Sequence, residues 1–519
     1  MVKLSKTPPN PLRIALVQPR KKVGKALRIE KSPTGIQALA AYLESYGWPV
    51  DLFHIALEAE SLKQVISLSP DVIGLSSFTS NFPEAYRMAQ EFKQHLPDST
   101  LVLGGWHASG CAVSYLQGHE SWSLGEILSE FSPFEFVVVG EGEKPLLNML
   151  DLLSEKAPIT DLRWRNIQGL GFLDEKGEIS ISGPSRVNDR DILPQPSWKG
   201  LDVDIYRDPK RANCLDLSIH AKRGCRFNCS FCATPTAYPG GIYCQSVEWT
   251  TRYIDWLREV FSPKTITFTD EDFMGDYDWL RDLCEALIEK GLNEDISYDS
   301  FGSIVDVRKL HRQGLLQRMR EAGFLSFFAG IESLNPAALE KFKRPVNGSG
   351  EELLKNYMGE IQKAVMLSRK SGLIFMADYM LGFFGESREE TELGFRHLMD
   401  IRGIPYIYLP TFTPFPGTSL WQTAIEKNLL IRKNDGTIPW ELYDCSHQVI
   451  TLDYDVAGVR DECEQLFFSC QVYRKDALDD IEAYPERKPE LYVPLFEKLH
   501  QDYPRNRAIE ENLKAFVNA

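Results

Sequence analysis

The chain has 519 residues, enough for two to four domains at roughly 100–200 residues each, which excludes a peptide-sized or fibrous protein. Its 58 basic and 73 acidic side chains leave a net charge of −15, so broad attraction to nucleic acid or anionic lipid is excluded and no nucleic-acid partner is expected. Ten irregularly spaced cysteines are too few for a disulfide scaffold, residues 1–20 lack the apolar core of a signal peptide, and no apolar run approaches a span of about 20 residues, so a cytoplasmic protein without a transmembrane span is expected.

From residue 13 to about 153, short β-branched or apolar runs alternate with amphipathic helical stretches, as in a doubly wound parallel sheet. Five strands are predicted, at 14–17, 50–53, 72–75, 101–103 and 136–139. Ligands of such sheets bind beyond the carboxyl ends of the strands. Three of the loops there are rich in glycine, hydroxyls or charge: Gly74-Leu75-Ser76-Ser77-Phe78-Thr79, Gly104-Gly105-Trp106-His107 and Gly140-Glu141-Gly142-Glu143. After the first strand, Arg20, Lys21, Lys22, Lys25, Arg28 and Lys31 form a cationic cluster in an acidic protein, suited to an anionic ligand or simply to a solvated loop.

Residues 157–204 hold a Gly-rich, hairpin-like stretch and a Pro-interrupted run, and read as a linker. A second series follows, with strands predicted at 215–219, 265–268, 296–300, 326–329, 374–380 and 407–412, which suggests a barrel or partial barrel. Past its first strand, Cys225, Cys229 and Cys232 crowd into eight residues. Thiolates at that spacing on a short loop can wrap one face of a metal site. Zinc would want a fourth ligand nearby, whereas Cys244 is twelve residues on and no histidine follows at finger spacing; three buried apolar thiols are the bland alternative. Further strand ends carry Thr269-Asp270-Glu271-Asp272, Gly330-Ile331-Glu332-Ser333 and Leu381-Gly382-Phe383-Phe384-Gly385-Glu386. Thr413-Pro414-Phe415-Pro416-Gly417-Thr418 ends the series, and beyond about residue 428 the chain turns helical and acidic. There Trp440, Tyr443 and His447 are candidates to cap the barrel, and Cys445, Cys463 and Cys470 are too dispersed for a second cluster.

The triplet Cys-x-x-x-Cys-x-x-Cys with an aromatic before its last cysteine resembles that of the radical SAM enzymes, and the preceding five-stranded module is similar to their cobalamin-binding subfamily. The resemblance implies an α/β chain with a Rossmann-like cobalamin-binding domain (1–156), a linker (157–204), a (β/α)6 partial-barrel radical SAM domain (205–428) and a helical substrate-side region (429–519). It implies that Cys225, Cys229 and Cys232 hold a [4Fe–4S] cluster whose open iron is chelated by S-adenosylmethionine. Phe231, Asp270, Glu271, Asp272, Glu332, Ser333, Gly382 and Gly385 would line that second cofactor. Cobalamin would lie on Ser76, Ser77, Thr79, Gly104, Gly105, His107, Gly140, Glu141 and Gly142, with the glycines admitting a flat ligand and the helix after Gly142 favouring its phosphate. One departure stands out: the Asp-x-His-x-x-Gly motif that ligates cobalt in many cobalamin proteins is missing, and the nearest match has Gly105 in place of the aspartate.

The implied activity is methylation of an unactivated carbon through a 5′-deoxyadenosyl radical and methylcobalamin, fed by an electron donor such as flavodoxin or ferredoxin. No general base is nominated. A ring-forming reaction of the anaerobic porphyrin-ring cyclase type, or a sensor that binds the cofactors without turnover, are the competing expectations.

Overall fold

The computed structural model describes residues 11–20, 31–187, 193–208, 214–342 and 347–469. The chain divides into two compact units, one drawn from 1–205, 220–253 and 414–444, the other from 206–219, 254–413 and 445–519. The cysteine loop belongs to the unit built on the amino-terminal sheet.

In the first unit a seven-stranded sheet runs in the order β2-β1-β3-β4-β5-β6-β7. Its parallel strands are β1 (Ile14–Arg20), β2 (Val50–Ala56), β3 (Val72–Ser76), β4 (Thr100–Gly104) and β5 (Phe136–Val138). The stretch read as a linker adds an antiparallel hairpin, β6 (Leu170–Leu173) and β7 (Ile179–Ile181), to the edge of β5. Both faces of the parallel part are apolar. Ile14, Leu16, Leu52, Val102 and Phe136 pack with Ile36, Leu43, Leu146 and Leu150 on one side, while Ala15, Val17, Ile73, Leu103 and Val137 are buried on the other. Helices α1 (Thr34–Ser45), α2 (Phe82–His95), α3 (Trp106–Leu116) and α4 (Glu143–Ser154) supply those covers, as a parallel sheet buried on two faces requires.

The second unit carries another seven-stranded sheet whose six parallel strands follow chain order without reversal. They are β9 (Cys214–Ile219), β10 (Thr265–Phe268), β11 (Ser297–Gly302), β12 (Phe324–Glu332), β13 (Ile374–Tyr379) and β14 (Tyr406–Tyr408); β8 (Arg207–Asp208) pairs antiparallel with β9. That order is the partial-barrel topology expected. Alternation along each strand sends Leu217, Ile266, Phe268, Tyr298, Phe327 and Phe375 into an apolar layer. The opposite face is polar and aromatic. Thr267 Oγ1 donates to Asp216 at 3.1 Å and Ser326 Oγ to Asp299 at 2.5 Å, while Phe301 stacks on Phe328 at 5.8 Å. Phe328 also meets Tyr406 at 6.2 Å across the intervening β13, a convergence available only on the concave side of a curved sheet. Among the described residues no helix is long and apolar enough to cross a membrane.

Candidate active site: a cysteine loop and two sets of strand ends

The cysteine loop is closed by a short antiparallel ribbon that pairs Lys222 with Cys244 and Arg223 with Tyr243. Gly224 sits at φ +87°, and a Cβ there would lie 2.4 Å from Gly241 O, so only glycine lets the two arms of the loop close. Cys225, Cys229 and Cys232 are all half-buried. Backbone N–H groups of Phe227 and Thr234 donate to Cys225 and Cys232 sulfurs at 3.4 and 3.5 Å, contacts of the kind that tune a cluster. Phe231 is half-buried beside them. Among the described residues no three His, Cys, Asp or Glu side chains converge as on a single ion, and a cluster asks for no such convergence because each cysteine binds a separate iron. The other thiols behave differently: burial pushes Cys284 and Cys463 up to about 12 and Cys111 well above its ordinary value, which leaves them inert. Cys445 is half-buried, and Cys470 lies outside the described residues.

At the strand ends of the second unit, Asp270 and Asp272 are buried and Glu271 is half-buried. The Asp272 carboxylate folds back onto its own turn, where a Cβ on Gly275 would lie 2.6 Å from its Oδ2. Glu332 adopts φ +68°, rare for a residue other than glycine, where the register of β12 and β13 shifts, and its carbonyl accepts from Met380 N at 2.7 Å. Strain of this kind persists where the surroundings enforce it, and it gathers at functional sites. The neighbouring Ser333 is used locally, its Oγ accepting from Asn335 N at 3.0 Å. Gly382, at φ +78°, leaves room for Val456, whose Cγ2 would be 2.7 Å from a Cβ, while Gly385, at φ +86°, faces open space. Sequence reasoning passed over Glu386, whose buried carboxylate accepts from Thr391 Oγ1 at 3.1 Å and is pushed up to about 7 chiefly by burial.

At the strand ends of the first unit several of the nominated residues make contacts within the protein. Gly105, at φ +93°, is required by the protein's own packing, because a Cβ would lie 2.6 Å from Ser77 O; Gly104 would tolerate one, its nearest neighbour being Val138 at 3.8 Å. His107 is fully buried, stacked on Phe82 at 4.2 Å and edge-on to Trp440 at 4.8 Å, with Nε2 3.6 Å from Cys111 Sγ. Burial lowers its pKa to about 3, so the ring is neutral. Glu141 commits both carboxylate oxygens to the protein: Oε2 accepts from Val187 N at 2.5 Å and Oε1 from Arg223 Nη1 at 2.9 Å. Glu143 Oε1 accepts from the same Nη1 at 2.7 Å. Two carboxylates thus stand at the start of α4, where the helix end favours negative charge. Gly140, at φ +78°, donates its N–H to Ser109 Oγ at 3.0 Å and admits the close passage of Ser185.

The loop after β3 presents groups suited to a flat, amide-rimmed ligand. Ser77 Oγ is buried with no hydrogen-bond partner among the described residues, Thr79 is buried, Ser76 is half-buried, and Phe78, which sequence reasoning did not nominate, is 49% exposed. An unsatisfied hydroxyl beside an exposed ring fits a cofactor that offers both polar groups and an apolar face. Of the cationic cluster, residues 21–30 lie outside the described residues.

Comparison with known proteins matches residues 21–150 to the B12 binding domain and residues 220–395 to the radical SAM superfamily, between them more than half of the chain. The chain is 26% identical over 394 residues to an uncharacterized methyltransferase of Pyrococcus horikoshii, covering 76% of each chain. It is 25% identical over 434 residues to the hopanoid C-3 methylase of Methylococcus capsulatus, covering 82% of this chain and 73% of the methylase. Among solved structures it is similar in fold to the cobalamin-dependent S-adenosylmethionine radical enzyme OxsB, with a TM-score of 0.65 at 16% identity over 98% of this chain and 75% of OxsB.

Proposed function

The chain belongs to the radical SAM enzymes that carry a B12-binding domain, and from that premise we propose that it transfers a methyl group to an unactivated carbon of a small-molecule substrate. The observation that carries this reading is the union, in one chain, of a half-buried cysteine triplet on a closed loop with a B12-type sheet that keeps an unsatisfied Ser77 hydroxyl and an exposed Phe78 at its strand ends. When bound, the [4Fe–4S] cluster and S-adenosylmethionine supply a carbon-centred radical, and cobalamin supplies the methyl group.

In this reading Cys225, Cys229 and Cys232 hold the cluster and Phe231 packs beside S-adenosylmethionine. The acidic turn of Asp270, Glu271 and Asp272 attracts the ammonium group of that cofactor, while Glu332, Ser333, Gly382 and Gly385 line the rest of it. Ser76, Ser77 and Thr79, joined by Phe78, contact cobalamin. The concave face of the second sheet, with Phe301, Phe328 and Tyr406, offers the substrate apolar contact and helps to exclude water. A low-potential electron donor of the flavodoxin or ferredoxin kind and a reducing cytoplasm complete the proposal.

The test is anaerobic reconstitution with cobalamin and S-adenosylmethionine, followed by mass spectrometry of products across candidate extracts. Methyl transfer yields S-adenosylhomocysteine together with 5′-deoxyadenosine. Deoxyadenosine alone would point to cyclisation or oxidation, and neither product to a binding protein without turnover.

A further inference from the structure

Resting on that reading, we infer that the cluster loop and the cobalamin-side sheet are energetically coupled through Arg223, so that each cofactor strengthens the hold on the other. Both arms of the ribbon that closes the cluster loop are gripped from one place, the end of β5. On the first arm, Arg223 Nη1 lies 2.9 Å from Glu141 Oε1 and 2.7 Å from Glu143 Oε1. On the second, Arg186 Nη2 donates to Gly241 O at 3.0 Å, its Nη1 donates to Pro239 O, and the guanidinium lies 3.8 Å over the ring of Tyr243.

Arg186 is itself held to the end of β5. Gly140 pairs with Ser185, Glu141 N donates to Ser185 O at 3.0 Å, and Val187 N donates to the Glu141 carboxylate at 2.5 Å. The Glu141–Val187 and Glu141–Arg223 contacts make one carboxylate the hinge of both grips.

Burial decides how much this arrangement matters. The side chains of Arg223, Glu141 and Glu143 are 12%, 0% and 2% exposed, so water cannot replace a lost partner as it does for a surface pair. Burial opposes charge on Arg223, but the facing Glu143 and Glu141 carboxylates outweigh it and hold the guanidinium firmly protonated.

Arg223 stands two residues before Cys225, and Glu141 and Glu143 stand in the loop that follows a strand of the cobalamin-side sheet. The end of β5 is tied in turn to the proposed cobalamin contacts after β3, since Gly140 N donates to Ser109 Oγ at 3.0 Å, Ser109 N to Gly105 O at 3.0 Å and His107 N to Ser77 O at 3.2 Å, so a cofactor that orders either loop meets part of the ordering cost of the other. That is a coupling free energy, and it must be reciprocal. Glu141, Glu143 and Arg223 act here as positioning residues, without touching a reacting atom.

The experiment measures hydroxocobalamin Kd for the full chain, by quenching of tryptophan fluorescence, with the cluster reconstituted and with it removed, alongside iron per chain with and without cobalamin. The expected wild-type result is binding at least about fivefold tighter with the cluster in place, and the same factor in iron retention when cobalamin is added. Glu143→Gln should shrink that ratio below about twofold while the cluster-free Kd changes little. Glu143→Asp should restore part of it, a recovery that a general loss of folding would not give. If circular dichroism shows that Glu143→Gln does not fold, Arg223→Lys serves the same comparison with its charge retained. Equal Kd values in the two wild-type forms, or an unchanged ratio in folded Glu143→Gln, overturn the inference alone. No cobalamin binding in either form overturns the functional reading itself.

Discussion

The two parallel sheets differ in what their second face carries. In the first, both faces are apolar and covered by helices, so nothing but the strand ends is left for a ligand. In the second, one face is apolar and the other is a concave surface of Asp216, Thr267, Asp299, Ser326, Phe301 and Phe328. A covered sheet acts as a platform with a rim, whereas a one-faced, curved sheet can enclose a reactant. The rims differ too. Around β4 and β5, Gly105, Gly140, His107 and Glu141 pack against the protein itself, while Glu332 in the second unit holds a strained backbone at its strand end.

The largest expected effect concerns the loop that both readings need. Replacing Cys225, Cys229 and Cys232 together by Ala should reduce iron from about four per chain to background, with cobalamin binding to the first sheet retained at reduced affinity. About eight irons in the wild type would mean that a second cluster had been missed.

Opposite pH slopes come next. His107 is held near 3 against an ordinary 6.5, so the unfolded chain takes up a proton that the folded chain refuses, and its contribution is lost as pH falls from 6.5 toward 3. Glu386 is held near 7 against 4.5, so the folded chain keeps a proton that the unfolded one releases, and stability falls as pH rises from 4.5 toward 7. Each amounts to roughly 3–5 kcal/mol. Urea unfolding of His107→Phe should show a flatter acid limb, and Glu386→Gln should lose less stability than the wild type as pH rises from 4.5 to 7. Profiles parallel to the wild type would remove either assignment.

A third comparison tests the faces directly. Leu103→Ala, fully buried in the first sheet, should cost about 2–5 kcal/mol in denaturant unfolding. Phe301→Ala, 40% exposed on the concave face, should cost less than half of that while weakening substrate capture. Equal losses would erase the distinction between platform and enclosure. The smallest effect is expected at Ser77→Ala: removal of an unsatisfied buried hydroxyl should leave the cofactor-free protein unchanged or about 1 kcal/mol more stable, yet loosen cobalamin. A clear loss of stability without cobalamin would place a partner on that hydroxyl.

Much of this was legible from residue patterns. Alternating apolar runs located every parallel strand of both sheets to within a few residues, because burial on one or two faces leaves a period that short windows reveal. The cysteine triplet was equally plain, since its ligands are local in sequence. The hairpin at β6 and β7 was read as a linker because its apolar alternation is short and its pairing partner, β5, lies more than thirty residues away. Glu141, expected at the cobalamin, also accepts from Arg223, some eighty residues along the chain, and no local motif announces such a pair. Arg186 was likewise unmarked by spacing, and Phe78 and Glu386, though inside the strand-end segments, carried no assigned role.

Composition and residue patterns by themselves thus determined an α/β chain with two parallel sheets, loops of interest at their carboxyl ends, and one loop with three closely spaced cysteines, since these follow from short-range chemistry. Only the tertiary structure decided which unit owns the cysteine loop, which glycines serve packing, and which carboxylates face an arginine. The reason is physical: a buried charge or a positive-φ turn is defined by groups that meet across long stretches of chain, and a linear pattern carries no record of who meets whom.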